Sequence, residues 1–163
     1  VWHHDPGPVS NPVFHLSCRV RGTMMHPMRQ HFRHQSDIGI RGIGQSLDEA
    51  FEEGAAALMK VIAAPEQIAP VQAVEIECEA EANDLLFFDW INALIYEMDV
   101  RKMLFSAFEV RIQGGRLKAC ARGERVDPDT HDIAVEVKAA TFMQLNVYRN
   151  PDNHWVAQCV VDV

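Results

Sequence analysis

Residues 85–98, LLFFDWINALIYEM, limit the fold of this chain more than any other segment. Apolar side chains recur there at helical spacing, and the polar Asn83 and Asp84 just before them are typical helix-capping residues. A helix with such a broad apolar surface must be covered by the rest of the domain. The residues that form or broaden the stripe are Leu86, Phe87, Phe88, Trp90, Ile91, Leu94, Ile95 and Met98.

A second helix is predicted over about residues 46–63. Ser46-Leu47-Asp48-Glu49 has the S-x-x-E pattern of a capping box, in which the first and fourth residues exchange hydrogen bonds with the backbone. Apolar residues then recur at helical spacing until Pro65, which cannot continue a helix. This segment is therefore expected to be amphipathic, with one face on the core.

The remaining periodic segments alternate in the manner of strands, and short turn sequences join them into hairpins. Two helices among about six strands predict an α+β fold, in which a largely antiparallel sheet has both main helices packed on one face. Residues 135–142 fit either a strand or a short helix. The predicted strands cover 71–80, 104–112, 116–126, 144–149 and 154–163.

Residues 1–28 lack any sustained apolar periodicity. We interpret them as a disordered leader or an over-extended start, since Met24, Met25 and Met28 are all plausible first residues. A histidine-rich, metal-binding arm is the alternative. Residues 29–163 are expected to form a single domain.

Composition excludes several classes of protein. No run of about 18 uncharged apolar residues occurs, and no secretory signal is visible, so we expect a cytoplasmic protein without a membrane span. The net charge of −8 argues against direct binding to nucleic acid, because that binding depends on Lys and Arg. The four cysteines lie far apart, which disfavours a thiolate metal site.

Carboxylates at the two ends of the domain form a candidate metal site. His34 and Asp37 stand at the start of the first predicted strand, and Asp162 is followed by Val163 at the end of the last. Oxygen ligands of this kind suit a hard divalent cation such as Ca²⁺ or Mg²⁺. An ordinary capping interaction between His34 and Asp37 is the alternative.

Five segments in order along the chain resemble those of the archease family: HQSDIGIRGIGQSLDEAF, DLLFFDWINALIYEMD, LFSAFEVRI, EVKAAT and the terminal VVDV. The resemblance extends from about Phe32 to Val163. It implies a strand-helix-strand-strand module and a role as accessory protein to an RtcB-type RNA ligase in tRNA splicing or RNA repair. Such a protein is not itself an enzyme, but helps the ligase form its guanylylated histidine and turn over repeatedly.

The resemblance also implies functional residues. Asp37, Asp162 and Val163 correspond to the family's ligands for a divalent cation, with Ca²⁺ expected first and Mg²⁺ or Mn²⁺ as alternatives. His34, three residues before Asp37, is a candidate for a supporting neighbour of these ligands. Gln35 departs from the family pattern, in which threonine is usual.

Lys138 and Thr141, in EVKAAT, are candidates for the surface that meets the ligase, although a strand with one exposed lysine fits them equally well. Phe142 stands where the family commonly has tyrosine.

Two other functions are compatible with these residues. In a metal-dependent phosphoesterase, His34, Asp37 and Asp162 would hold the metal, with only Arg41 and Lys138 as nearby cations for phosphate. The other hypothesis is a chaperone-like scaffold with a structural ion. The oligomeric state stays open.

Overall fold

The computed structural model describes residues 37–163, which form two antiparallel sheets and two long helices. The first sheet has the order β1-β7-β5, with β6 also paired to β7, and the second has the order β2-β4-β3. The predicted α+β class is confirmed, with two sheets where the sequence predicted one. In chain order the elements are β1 (Asp37–Gly44), α1 (Leu47–Ile62), a 3-10 helix (Pro65–Gln67), β2 (Gln72–Glu79), α2 (Asn83–Arg101), β3 (Met103–Gln113), β4 (Arg116–Arg125), β5 (Ala139–Ala140), β6 (Asn146–Arg149) and β7 (Trp155–Asp162).

Helix α2 is the buried centre of the fold, as its apolar stripe predicts. Every residue from Leu86 to Ile95 is buried, and the indole Nε1 of Trp90 donates to the backbone oxygen of Phe51 in α1 at 3.0 Å. The helix contacts strands of both sheets. No helix within residues 37–163 is long and apolar enough to cross a membrane.

The predicted capping of α2 by Asn83 and Asp84 is wrong. The helix begins at Asn83, and its N-cap is Ala82, which makes no side-chain hydrogen bond. Asp84 lies in the first turn, where its Oδ1 accepts from the backbone N–H of Leu85 at 2.7 Å. A carboxylate there is favourable because it faces unpaired backbone N–H groups, whichever residue is the cap.

Helix α1 starts at the predicted capping box. Ser46 is the N-cap, and its hydroxyl accepts from the backbone N–H of Glu49 at 3.1 Å. The Glu49 carboxylate reaches back to the backbone N–H of Gln45 at 2.6 Å. The helix packs so closely on β1 that a Cβ added to Gly42 would lie 2.2 Å from the backbone nitrogen of Gly54.

Helix α1 also protects the free edge of β3 and so ties the two sheets together. The Asp48 carboxylate accepts from the backbone N–H of Ile112 at 2.9 Å, and that of Glu52 accepts from Val110 at 2.8 Å. Burial raises the pKa of Glu52 despite this hydrogen bond. Unpaired N–H groups on an edge strand invite pairing with other chains, and these carboxylates satisfy two of them.

The predicted acidic face of β2 is balanced by cations on its neighbour. Glu77 pairs with Lys118 across the strands, and Glu79 pairs with Arg116, whose side-chain nitrogen lies 3.6 Å from the carboxylate. Opposite charges in directly facing positions stabilise a strand pair modestly. This face is a solvated surface and calls for no further function.

The segment whose structure the sequence left undecided, 135–142, is mostly irregular. Only β5, two residues long, pairs with β7. The Asn92 side chain of α2 accepts from the backbone N–H of Ala140 at 3.0 Å and so fixes this short strand.

Candidate metal site and partner surface

The sequence-predicted aspartates meet at one tip of the first sheet. Strands β1 and β7 are antiparallel, and their register places Asp37 directly opposite Asp162. Ala139 of β5 is the other neighbour of Asp162, so a small side chain flanks the pair. Directly opposed residues project to the same face with Cβ atoms about 4.5–5.5 Å apart. The fold therefore brings together two residues that are 125 positions apart (162 − 37) in the chain.

The charges of these two carboxylates are uncompensated within residues 37–163. Asp37 is exposed and Asp162 is half-buried. No lysine or arginine of the described chain forms an ion pair with either of them. Like charges directly opposite each other destabilise a strand pair, and a cation between them reverses the effect. The electrostatics of the tip thus suit a bound cation.

The donors available for a cation are oxygens. Val163 follows Asp162 directly, and its half-buried side chain packs against the core, which fixes the chain beside the aspartate pair. In the part of the chain that the structure describes, no three His, Cys, Asp or Glu side chains come together at one point. Among residues 37–163, further donors for a cation at this tip would therefore be oxygens other than those of Asp and Glu side chains, such as main-chain oxygens. An all-oxygen set fits Ca²⁺ or Mg²⁺ better than zinc.

The predicted neighbour of these ligands, His34, lies outside the described residues. Residues 1–28, interpreted above as a leader, lie outside them as well.

Arg41 is too far from the aspartate pair to share a ligand with it. It lies four residues beyond Asp37 on the same strand face, which corresponds to about 13 Å. Its Nε donates to the Oε1 of Gln158 at 3.0 Å, so the guanidinium is engaged with its cross-strand neighbour. The cation that a phosphoesterase would need beside its metal is not supplied by Arg41.

Lys138 and Thr141, the predicted partner-facing residues, flank β5 at the same end of the sheet. The backbone N–H of Lys138 donates to the backbone oxygen of Asp162 at 2.8 Å. The Thr141 hydroxyl donates to the backbone oxygen of Val160 at 2.8 Å and accepts from the N–H of Met143 at 3.1 Å. Thr141 thus shapes the turn that follows β5.

One residue important for this region, Asn92, was missed at the sequence level, and so was the packing partner of Phe142. Asn92 is fully buried in α2, where its Nδ2 donates to the backbone oxygen of Phe88 at 3.3 Å while its Oδ1 holds Ala140. The Phe142 ring stacks on the Phe88 ring with centroids 4.4 Å apart. A polar residue inside the apolar stripe was the available signal for Asn92. Nothing local to Phe142 predicts its partner on α2.

Comparison with known proteins decides the family. The model of the archease protein family matches residues 30–163 of this chain. The chain belongs to the archease family. The protein archease of Pyrococcus abyssi is 39% identical over 138 residues, which are 82% of this chain and 97% of the relative. The archease of Pyrococcus furiosus is 39% identical over 142 residues, 83% of this chain and 100% of the relative.

Solved structures share the fold. Protein 1598 of Methanobacterium thermoautotrophicum, known from its solution structure, matches with a TM-score of 0.70 and 28% identity, over 78% of this chain and 93% of that protein. An archease from Thermotoga maritima, described as a possible chaperone, matches with a TM-score of 0.61 and 25% identity, over 85% of this chain and 100% of that protein. The α+β architecture is thus the archease architecture.

Proposed function

We propose that this protein is a cytoplasmic accessory factor that activates an RtcB-type RNA ligase. It would promote guanylylation of the ligase's active-site histidine and allow repeated turnover in tRNA splicing or RNA repair. Membership of the archease family, in which a relative is described as a possible chaperone, supports a role that acts on another protein. The net charge of −8 supports contact with the ligase instead of with its RNA.

The observation that carries the proposal is the register that pairs Asp37 with Asp162. We infer that these aspartates and the carboxyl group of Val163 hold a divalent cation, with Ca²⁺ the first candidate and Mg²⁺ or Mn²⁺ the alternatives. The cation would supply a positive centre at an otherwise acidic tip, open to an oxygen ligand from the ligase. Asp37 would contribute charge, and the half-buried side chain of Val163 would hold the last residue in position.

We propose that this protein itself does not catalyse the making or breaking of a covalent bond. A phosphoesterase needs a basic group close to its metal to stabilise the developing charge on phosphate. Arg41, one of the two cations that the sequence offers, is held by Gln158 through a hydrogen bond of 3.0 Å. An activator can instead shift the ligase toward its nucleotide-binding conformation. For this it needs only to bind that conformation more tightly than the other conformations of the ligase.

A multiple-turnover ligation assay tests the proposal. Purified RtcB-type ligase, GTP and a cleaved RNA would be incubated with and without this protein, and guanylylated ligase and joined RNA would be measured over time. We expect the ligase to turn over repeatedly only when the protein is present. An unchanged rate of guanylylation with saturating protein would refute the proposed function.

Asp37→Ala should abolish this activation, because it removes half of the aspartate pair without touching the core. Asp152→Ala is the matched control, since it removes an equally charged, exposed aspartate from the turn between β6 and β7. Both variants should keep the thermal midpoint of the native protein. Equal activation by Asp37→Ala and the native protein would show that this residue is not a ligand that matters for activation.

A further inference from the structure

Two adjacent apolar side chains project into solvent from the turn between β5 and β6. Phe142 is 64% exposed and Met143 is 53% exposed. Single exposed apolar residues are common on protein surfaces, whereas contiguous apolar surface is typical of places where another molecule binds. Aromatic residues and methionine are also enriched in the centres of protein interfaces.

The turn that carries this pair is held rigidly. The backbone N–H of Leu145 donates to the oxygen of Phe142 at 3.1 Å, and the N–H of Val160 donates to the oxygen of Met143 at 3.1 Å. Gln144 adopts a left-handed backbone conformation with φ 54°, which residues other than glycine rarely adopt. Such a conformation persists only where the surroundings impose it. The turn is therefore already ordered before it meets a partner, which lowers the entropy lost on binding.

Helix α2 supports the turn from beneath. The Phe88 ring stacks on one face of Phe142 at 4.4 Å with an interplanar angle of 14° and leaves most of the Phe142 ring exposed. Asn92, one helical turn further along, fixes Ala140 just before the turn. Among residues 37–163, the more deeply buried of the two long helices thus sets the position of the most exposed phenylalanine ring.

The turn lies close to the aspartate pair, because it directly follows β5, and β5 pairs with β7 beside Asp162. Ala139 pairs with Asp162, and Phe142 follows three residues later, which corresponds to about 10 Å of extended chain. The backbone N–H of Thr141 donates to the oxygen of Val160 at 2.9 Å, so the chain keeps its course along β7 up to the turn. Acidic and apolar surfaces therefore adjoin at one end of the molecule.

We propose that Phe142 and Met143 form the apolar anchor with which this protein docks on its partner. The surface of this partner would have an apolar recess bordered by basic side chains. The recess would receive the ring, and the basic groups would complement the net charge of −8 of this protein, whereas Asp37 and Asp162 would hold the cation. This inference rests on the proposed function, under which that surface belongs to the RNA ligase. The aspartate pair would then act on the ligase while the anchor determines how tightly the two proteins bind.

Binding measurements on matched variants test this inference. Phe142→Ala and Met143→Ser would be compared with Val71→Ser, which truncates a side chain that is 72% exposed on a different part of the surface. Affinity for purified ligase would be measured by calorimetry, and Ca²⁺ affinity by a separate titration. We expect Phe142→Ala to weaken ligase binding about 30-fold or more, as truncating an interface anchor does. Val71→Ser should leave the affinity unchanged, and the Ca²⁺ affinity of all variants should equal that of the native protein.

Met143→Ser guards against a folding artefact, because it leaves the stacked rings intact, and it should also weaken binding. If both turn variants bind the ligase as tightly as Val71→Ser, Phe142 and Met143 are not the anchor, while the proposed function stands. If the native protein itself neither binds nor activates the ligase, both proposals fall together. If sedimentation shows that the native protein is a dimer, Phe142→Ala a monomer, and ligase affinity is unchanged, a second copy covers this surface and the inference is overturned.

Discussion

Asp89 is an unusual residue within the most buried helix. Its side chain is 3% exposed, and its Oδ2 finds no hydrogen-bond donor among residues 37–163. Burial raises the pKa of this carboxyl from 3.8 to about 7. Between these two pH values the folded protein keeps a proton that the unfolded chain has released. The contribution of Asp89 to stability is therefore complete below about pH 4 and is lost as the pH rises toward 7.

Replacement of Asp89 by asparagine should remove this pH dependence while keeping the shape of the side chain. Relative to Asp89→Asn, the native protein should lose roughly 2–3 kcal/mol of unfolding free energy between pH 5 and pH 8. Urea unfolding of both proteins at the two pH values measures the difference. If the two proteins change in parallel with pH, Asp89 is ionised in the folded state throughout.

At the residue scale, the sequence predicted the two aspartates of the candidate metal site and missed the residues that support the neighbouring turn. Asp37 and Asp162 are strand-end carboxylates matching a family motif, so they were visible without a structure. Asn92 and Asp89 interrupt an apolar stripe, and helical spacing alone does not tell whether such a polar residue meets a partner. The Phe88–Phe142 stack joins distant segments, and no local pattern encodes it.

At the scale of elements, periodicity located helix α1 and the two hairpins because one face of each is buried. Helix α2 was located by its long, broad apolar run, because it is buried on all sides from Leu86 to Ile95. The split into two sheets was not predictable in this way, since alternation with a period of two reveals which face is buried but not which strand is the neighbour. Strand β5 escaped prediction because two residues carry no period at all. Its position depends on the Asn92 side chain and on pairing with β7.

Trp90→Ala should destabilise the protein by about 3–5 kcal/mol. The side chain is fully buried in α2, and its loss would leave a cavity and remove the indole hydrogen bond to the backbone oxygen of Phe51. Chemical unfolding monitored by circular dichroism measures this. Val100→Ala is a suitable control, since that residue lies on the same helix and is 48% exposed. A loss below about 1 kcal/mol for Trp90→Ala would contradict the central position of α2.

At the scale of the whole molecule, the family match and the described fold both concern the part of the chain after the first 29 residues. We predict that residues 1–28 are dispensable, because they carry no periodic apolar pattern that could join the core. Their deletion should shift the thermal midpoint by only a few degrees, as measured by calorimetry. Loss of folding would show that apolar residues such as Phe14 and Leu16 pack on the domain.

The meeting of Asp37, Asp162 and Val163 is tested most directly by titrating Ca²⁺ and Mn²⁺ into two forms of the protein, one ending at Val163 and one extended by a few residues. Extension turns the terminal carboxylate into a neutral peptide group and crowds the tip, whereas the core is untouched. Since partly buried charge pairs are worth a few kcal/mol, the extended form should bind the cation about 100-fold more weakly or worse. Equal affinities in calorimetry would mean that Val163 is not a ligand and that Asp37 needs another explanation.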